Sequence, residues 1–254
     1  ILNASKGPAV RGLRVQADRE LYKNEISKLL KKEKNLKIIE DEVIDLNINN
    51  KFVTGVILSK QKIVSCETVV LTTGTFLNGL IHIGKKKNPG GRIGERATHG
   101  LSKTFKKYGF NLGRMKTGTP PRIAQKSINF KKLNRQDSDK KIMPFSFMNK
   151  SITNKQIPCF ITCTNQKTHE IIEKNIVKSS IYSGQIQSKG PRYCPSIEDK
   201  IVKFKSRDQH QIFLEPEGLS SNIIYPNGIS TSLPENIQKK FVQSIYGLEK
   251  SKIL

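Results

Sequence analysis

The stretch Gly190-Pro191-Arg192-Tyr193-Cys194-Pro195-Ser196-Ile197-Glu198-Asp199-Lys200 sets a thiol beside a guanidinium, just ahead of a predicted helix start. The thiolate is the reactive form of cysteine, and both a nearby cation and the free N–H groups of a helix N-terminus favour it. Residues 196 to 203 carry the amphipathic spacing of a helix, so Cys194 has both neighbours. On the residues alone, a small buried hydrophobe is the competing reading, since most isolated cysteines are of that kind.

Other residue types that carry chemistry are fewer. "NPGGRIGER" (88–96) combines Gly90, Gly91 and Gly94 with Arg92 and Arg96. Successive glycines can form an anion-binding nest, and arginine supplies paired donors to phosphate. The spacing is neither GxGxxG nor GxxxxGK[ST], and a flexible surface loop explains it equally well. "VVLTTGTFLNGLIHIG" (69–84) reads as a buried strand ending at Thr73 and Gly74, and ligands of open α/β sheets sit beyond such strand ends. An ordinary strand end is the alternative. Cys159 and Cys163 with His169 lack a fourth ligand, so core cysteines and no metal are expected. His82, His99 and His210 are isolated, and Glu215 and Glu217 read as a solvated turn.

These groups need elements to hold them. Residues 17–34 have helical apolar spacing through Leu21, Ile26, Leu29 and Leu30. "LKIIE", "EVIDLNI", "KFVTGVILS" and "KIVSCETVVLTTG" read as short strands separated by tight turns. A glycine-rich, basic loop is predicted from Lys85, then a short helix at 101–110 and an irregular basic segment over 125–156. "IPCFITCTN" and "QHQIFLEPEG" alternate as strands, "QKTHEIIEKNIVKS" is helical, and Pro234 opens a last helix. The fold class is α/β.

Composition narrows the partners. The formal charge is +24, and residues 85–150 hold eighteen Lys/Arg against three acidic residues. Such clustering points to a polyanion, with nucleic acid favoured over lipid because no amphipathic membrane helix is visible. Lysine outnumbers arginine 35 to 10, so compositional bias explains part of the count but not its placement. No run of 18 apolar residues occurs, which predicts a soluble protein without a membrane span. Four cysteines at irregular spacing fit a reducing compartment.

Several blocks then coincide in order: "LNASKGPAVRGLRVQADR", "VVLTTGTFLNGLIHIG", "GGRIGE", "RMKTGTPPRI", "PCFITCTNQKTHEII", "GPRYCPSIEDKIVKF" and "QHQIFLEPEGLSSNIIYPNGISTSLP". Together they resemble the MnmG (GidA) family, FAD-dependent enzymes of tRNA wobble-uridine modification. The resemblance implies part of a Rossmann-like FAD/NAD(P)-binding domain with a β-meander, plus an inserted α+β domain. It implies FAD and NADH as cofactors, methylene-tetrahydrofolate as one-carbon donor, and tRNA and the GTPase MnmE as partners. A homodimer is implied for the full-length protein, in the cytoplasm or, in a eukaryote, the mitochondrion.

Carried onto this sequence, Val43 matches the family's adenine-side FAD contact, and Thr98 stands where the family often has Ser. The segment from Gly190 to Phe204 matches the NAD segment, which brings in Pro191, Arg192, Tyr193, Pro195, Ser196 and Lys200. Cys194 matches one of two cysteines the family needs for activity. With Thr73, Gly74, Gly90, Gly91 and Arg92 these form the expected cofactor set. The family's N-terminal GxGxxG and its C-terminal module are absent, so a central fragment is expected. Residues 1–84 would be part of the FAD domain, 85–232 the inserted basic domain, and 233–254 the start of the return to the FAD domain. A basic RNA-binding module without chemistry and the related folate-dependent tRNA T-loop methyltransferase are the alternatives.

Overall fold

Alternation along Gln211–Pro216 puts Ile212 and Leu214, both 0 % exposed, on one face of a strand, and that face organises the core built from residues 123–253. The computed structural model describes residues 6–188 and 195–254. The first elements are α1 (Arg19–Lys32), β1 (Val43–Asn49), β2 (Phe52–Leu58), β3 (Ile63–Ser65), β4 (Leu80–Ile83), β5 (Lys86–Pro89) and α2 (Leu101–Lys107). Next come β6 (Ile123–Ala124), β7 (Asn134–Gln136), β8 (Cys159–Cys163), α3 (Gln166–Glu173), α4 (Ile197–Lys203), β9 (Gln211–Pro216), β10 (Ile223–Asn227) and α5 (Glu235–Val242).

The strands pair antiparallel into a five-stranded sheet ordered β6-β10-β9-β8-β7, a meander β1-β2-β3 and a hairpin β4-β5. The architecture is mixed α/β, as the sequence predicts. Ile172 of α3, Ile197 and Ile201 of α4, and Ile237, Phe241 and Val242 of α5 share one core with Ile212, Leu214 and Ile224 of the sheet. Leu233, Ile245 and Leu248 join the same core, so the segment after residue 232 packs with the five-stranded unit. Among the described residues, no helix is long and apolar enough to cross a membrane.

Local chemistry fixes the helix starts. Asn165 accepts from the Thr168 amide at 2.9 Å and caps α3, while its own Nδ2 donates to the Ser244 carbonyl at 2.7 Å. Ser196 caps α4 in the same way through the Asp199 amide at 3.1 Å, confirming the helix start read after Cys194.

Four expectations are corrected. Residues 69–74 form no strand, and Val70 is 86 % exposed. An apolar run needs a neighbour to satisfy its backbone ladder, and no strand pairs with it among the described residues. "LKIIE" is likewise unpaired, and α1 buries none of its apolar stripe. The loop read from Lys85 begins instead as β5, the return strand of a hairpin. Finally, Glu215 and Glu217 are not a solvated turn. Arg14 pairs with buried Glu215 at 2.7 Å, and Arg19 and Arg122 pair with Glu217 at 3.2 and 2.6 Å. The Arg14 and Arg19 bonds tie the start of α1 and the segment before it to the β9–β10 hairpin, and the Arg122 bond ties in the segment before β6.

Candidate functional site

Two groups of predicted site residues emerge, one at each end of the β4–β5 hairpin. At the open end, the 73–79 turn and the 90–102 segment are laced together. The Gly90 amide donates to the Gly79 carbonyl at 3.0 Å, and the Thr98 amide donates to the Phe76 carbonyl at 2.9 Å. The Thr98 carbonyl accepts from the Asn78 amide at 2.8 Å. Thr75 Oγ1 donates to the Gly91 carbonyl at 3.1 Å, so Thr73, Gly74, Gly90, Gly91 and Thr98 share one region. Val43 adjoins it, because Gly100 packs its α-carbon against the Ile44 carbonyl and Thr104 of α2 bonds Asp45.

The glycines here serve close packing. A Cβ on Gly91 would overlap the Phe76 ring, and one on Gly90 would sit 2.7 Å from the Glu95 carbonyl. Arg92 pairs with Glu95 at 3.1 Å. The Gly90 amide is thus bonded within this end of the hairpin, while the paired Arg92 side chain stays more than half exposed. Asn78 (φ 48°) sits at the centre of this end. It meets His99 Nδ1 at 2.9 Å, bonds Ser102, and its carbonyl accepts from Arg114 at 3.0 Å.

At the other end lies α4. The Gly84 amide donates to the Ser232 carbonyl at 2.7 Å, and its carbonyl accepts from Ser180. A Cβ on Gly84 (φ +56°) would meet the Pro234 ring at 2.6 Å, so the hairpin turn is pinched onto the large unit. Ser232 in turn bonds Glu198, which is 0 % exposed. Glu198 Oε1 accepts from Ser179 Oγ at 3.0 Å, Thr231 Oγ1 at 3.1 Å and the Ser232 amide at 3.0 Å. Its Oε2 has no hydrogen-bond partner among the described residues.

Asp199 is the electrostatic hub. Burial pushes its carboxyl up, but the Lys116 ammonium at 3.1 Å and the Ser196 amide and hydroxyl outweigh that and hold it below the usual carboxylate range. Tyr182 donates to Asp199 at 3.2 Å, and burial followed by that negative neighbour pushes its phenol up to about 12. Lys200 donates to the Gly228 carbonyl at 2.8 Å, and burial holds its ammonium below the usual lysine value.

The structure does not bring the two groups together. Gly79 and Gly90 flank one end of the hairpin and Gly84 its turn, a strand length of roughly 15 Å. Arg92 and Thr98 thus lie at the far end from Ser196 and Lys200. Pro195 is exposed just before the α4 cap. Gly190, Pro191, Arg192, Tyr193 and Cys194 lie outside the described residues. Among those described, no group of three or more His, Cys, Asp or Glu could hold a metal. Burial raises the Cys159 and Cys163 thiols, yet both are only half-buried and neither joins the hydrophobic core, to which β8 instead contributes Phe160.

Sequence reasoning missed Lys116, Tyr182 and Glu198. The S-x-x-D spacing of Ser196 and Asp199 was a visible capping signal, whereas Lys116 is 83 positions away and nothing local marks it. The basic cluster is real on the surface. Of its eighteen cations, Lys86, Arg92, Lys116, Arg122, Lys132 and Arg135 pair with carboxylates within 4 Å. The other twelve are exposed, among them Lys85, Lys87, Lys106, Lys107 and Arg114.

Comparison with known proteins places these features in context. A family model described as "Glucose inhibited division protein A" matches residues 1–254. The tRNA uridine 5-carboxymethylaminomethyl modification enzyme MnmG of Thermodesulfovibrio yellowstonii is 52% identical over 254 residues, covering 100% of this chain and 41% of that protein. The same-named enzyme of Buchnera aphidicola subsp. Cinara cedri is 53% identical over 255 residues, covering 100% of this chain and 40% of that protein. The chain thus spans about two fifths of the length of these relatives. The form I crystal structure of Aquifex aeolicus GidA superposes with a TM-score of 0.92 at 46% identity, covering 100% of this chain and 43% of that one. Sequence and fold agree over the full chain, and the protein belongs to the glucose-inhibited division protein A (MnmG/GidA) family.

Proposed function

We propose that this chain supplies part of the substrate-facing body of an enzyme that installs a carboxymethylaminomethyl or aminomethyl group at C5 of the tRNA wobble uridine. The observation that carries this reading is identity at about half of all positions, across the whole chain, with relatives named for that modification. The exposed cations of residues 85–150 support a polyanionic substrate. FAD, NADH and methylene-tetrahydrofolate are the proposed cofactors, with MnmE as partner and a homodimer as the assembled form. When bound, FAD would supply the redox chemistry.

Cys194 is the proposed reactive group. Addition of its thiolate to uridine C6 would move the electron pair of the C5–C6 bond onto C5, making that carbon nucleophilic. After C5 bonds its new carbon and loses its proton, expulsion of the thiolate restores the ring. Acid–base work at C5 is the other role open to it. Ser196 caps the helix that follows, and Asp199 with Lys116 and Tyr182 fixes that helix start in place.

The test uses a complete protein. This chain should replace the matching segment of a full-length relative, in a host lacking the modification, with tRNA nucleosides analysed by mass spectrometry. The chimera is expected to restore the modified uridine and its Cys194→Ser variant to abolish it while keeping fold and tRNA affinity. A Ser variant that modifies tRNA at close to the parental rate, or a folded, tRNA-binding chimera with no product, overturns the assignment.

A further inference from the structure

The segment between β7 and β8 carries apolar side chains that the fold does not use. Phe147 is 106% exposed and Met148 is 91% exposed, and Phe145 and Met143 are also open to solvent. None of residues 140–155 enters the buried core. The presentation is built rather than frayed. The Ser146 carbonyl accepts from the Asn149 amide at 3.2 Å, and Ser146 Oγ accepts from the Met148 amide at 3.2 Å. This closes a tight turn with Phe147 and Met148 at its two corners. The mouth of the segment is pinned where Ser138 Oγ donates to Gln156 Oε1 at 3.0 Å.

The charge around this tip has one sign. Residues 140–155 contain Lys140, Lys141, Lys150 and Lys155 and no acidic residue, and all four lysines are exposed. Lysines draw in phosphates, and exposed rings offer flat faces to bases. A paired duplex keeps its base faces stacked inside, so only unpaired nucleotides can use the rings.

We propose that residues 140–155 form a stacking platform for unpaired bases of an RNA, with Phe147 and Phe145 as the ring faces and the four lysines holding the backbone. The inference rests on the tRNA reading above and adds that this loop grips single-stranded nucleotides rather than a stem. A protein partner for the same tip is the competing outcome.

The experiment uses the 254-residue chain and two labelled RNAs, a hairpin with an open loop and the same stem as a blunt duplex. Affinity is read by fluorescence anisotropy, and a 2-aminopurine in the hairpin loop reports stacking. The hairpin should bind more tightly than the duplex, with a change in 2-aminopurine emission. Phe147→Leu, which keeps an apolar side chain but removes the ring face, should lower hairpin affinity about tenfold and leave duplex affinity unchanged. Phe147 touches no core residue, so the thermal midpoint should not move. Equal binding of both RNAs, an unchanged hairpin affinity in the variant, or an equal loss on both RNAs overturns the platform while leaving RNA binding intact. Binding to neither RNA overturns this inference and the tRNA reading of the chain together.

Discussion

Burial acts on the ionisable residues of this chain in one direction, and their neighbours decide whether it prevails. At Asp199 it loses to Lys116; at the histidines it wins. Burial holds His169 and His210 below the ordinary imidazole value. Glu173 and Asp208 oppose it at His169, while His169, Lys200 and Arg207 reinforce it at His210. The two rings lie 5.4 Å apart, and His169 Nε2 meets Thr164 Oγ1 at 2.7 Å. Unfolded imidazoles take up protons as pH falls through about 6.5, whereas these remain neutral in the fold until lower pH. Their contribution is therefore complete above that value and is lost as pH falls below it. Urea midpoints at about pH 7.5 and about pH 5.5 should show the drop, and His210→Gln should lessen it. Equal midpoints at both values for the parent chain would remove the histidines from the account.

Elements show which signals a sequence can carry. Ser196 and Asp199 are three apart, so the start of α4 was legible from spacing alone, and the structure supplies both bonds of the box. Ser196→Ala should cost about 1 kcal/mol, read as a lowered urea midpoint with an unchanged slope. A midpoint equal to the parent would show that the cap is redundant. Helices α3 and α5 and strands β8 and β9 were legible because their apolar periods face the core they build. β10 was not, because Pro226 within "IIYPN" argues against a strand, and pairing with β9 and β6 overrides that preference. The apolar run 69–74 failed in the opposite sense, since composition supplies hydrophobicity but not a neighbouring strand. Of the candidate site, the glycine loop read as an anion nest or a flexible surface segment, and the close approach of Phe76 to Gly91 and of the Glu95 carbonyl to Gly90 was not legible from spacing.

For the molecule as a whole, charge placement governs association. If about four to six phosphates are neutralised, log K for tRNA should fall against log salt with a slope near −4 to −5. Reversing Lys85, Lys86 and Lys87 to Glu should weaken binding and flatten that slope, measured by filter binding across a salt series. A slope unchanged in the triple variant would assign the contact to the other exposed cations, such as Lys106 and Lys107 of α2. The hairpin that carries these lysines also has a mechanical character. Gly84 is clamped at Ser232 and Pro234, while Gly79 and Gly90 stand a strand length away, so the hairpin acts as a lever with its fulcrum in the large core. With an arm of roughly 15 Å, a tilt of about ten degrees at the clamp displaces the far end by about 3 Å. A shift of Ser232 that tilted the hairpin as a rigid unit would thereby be larger at the Asn78 and Thr98 end than at the clamp.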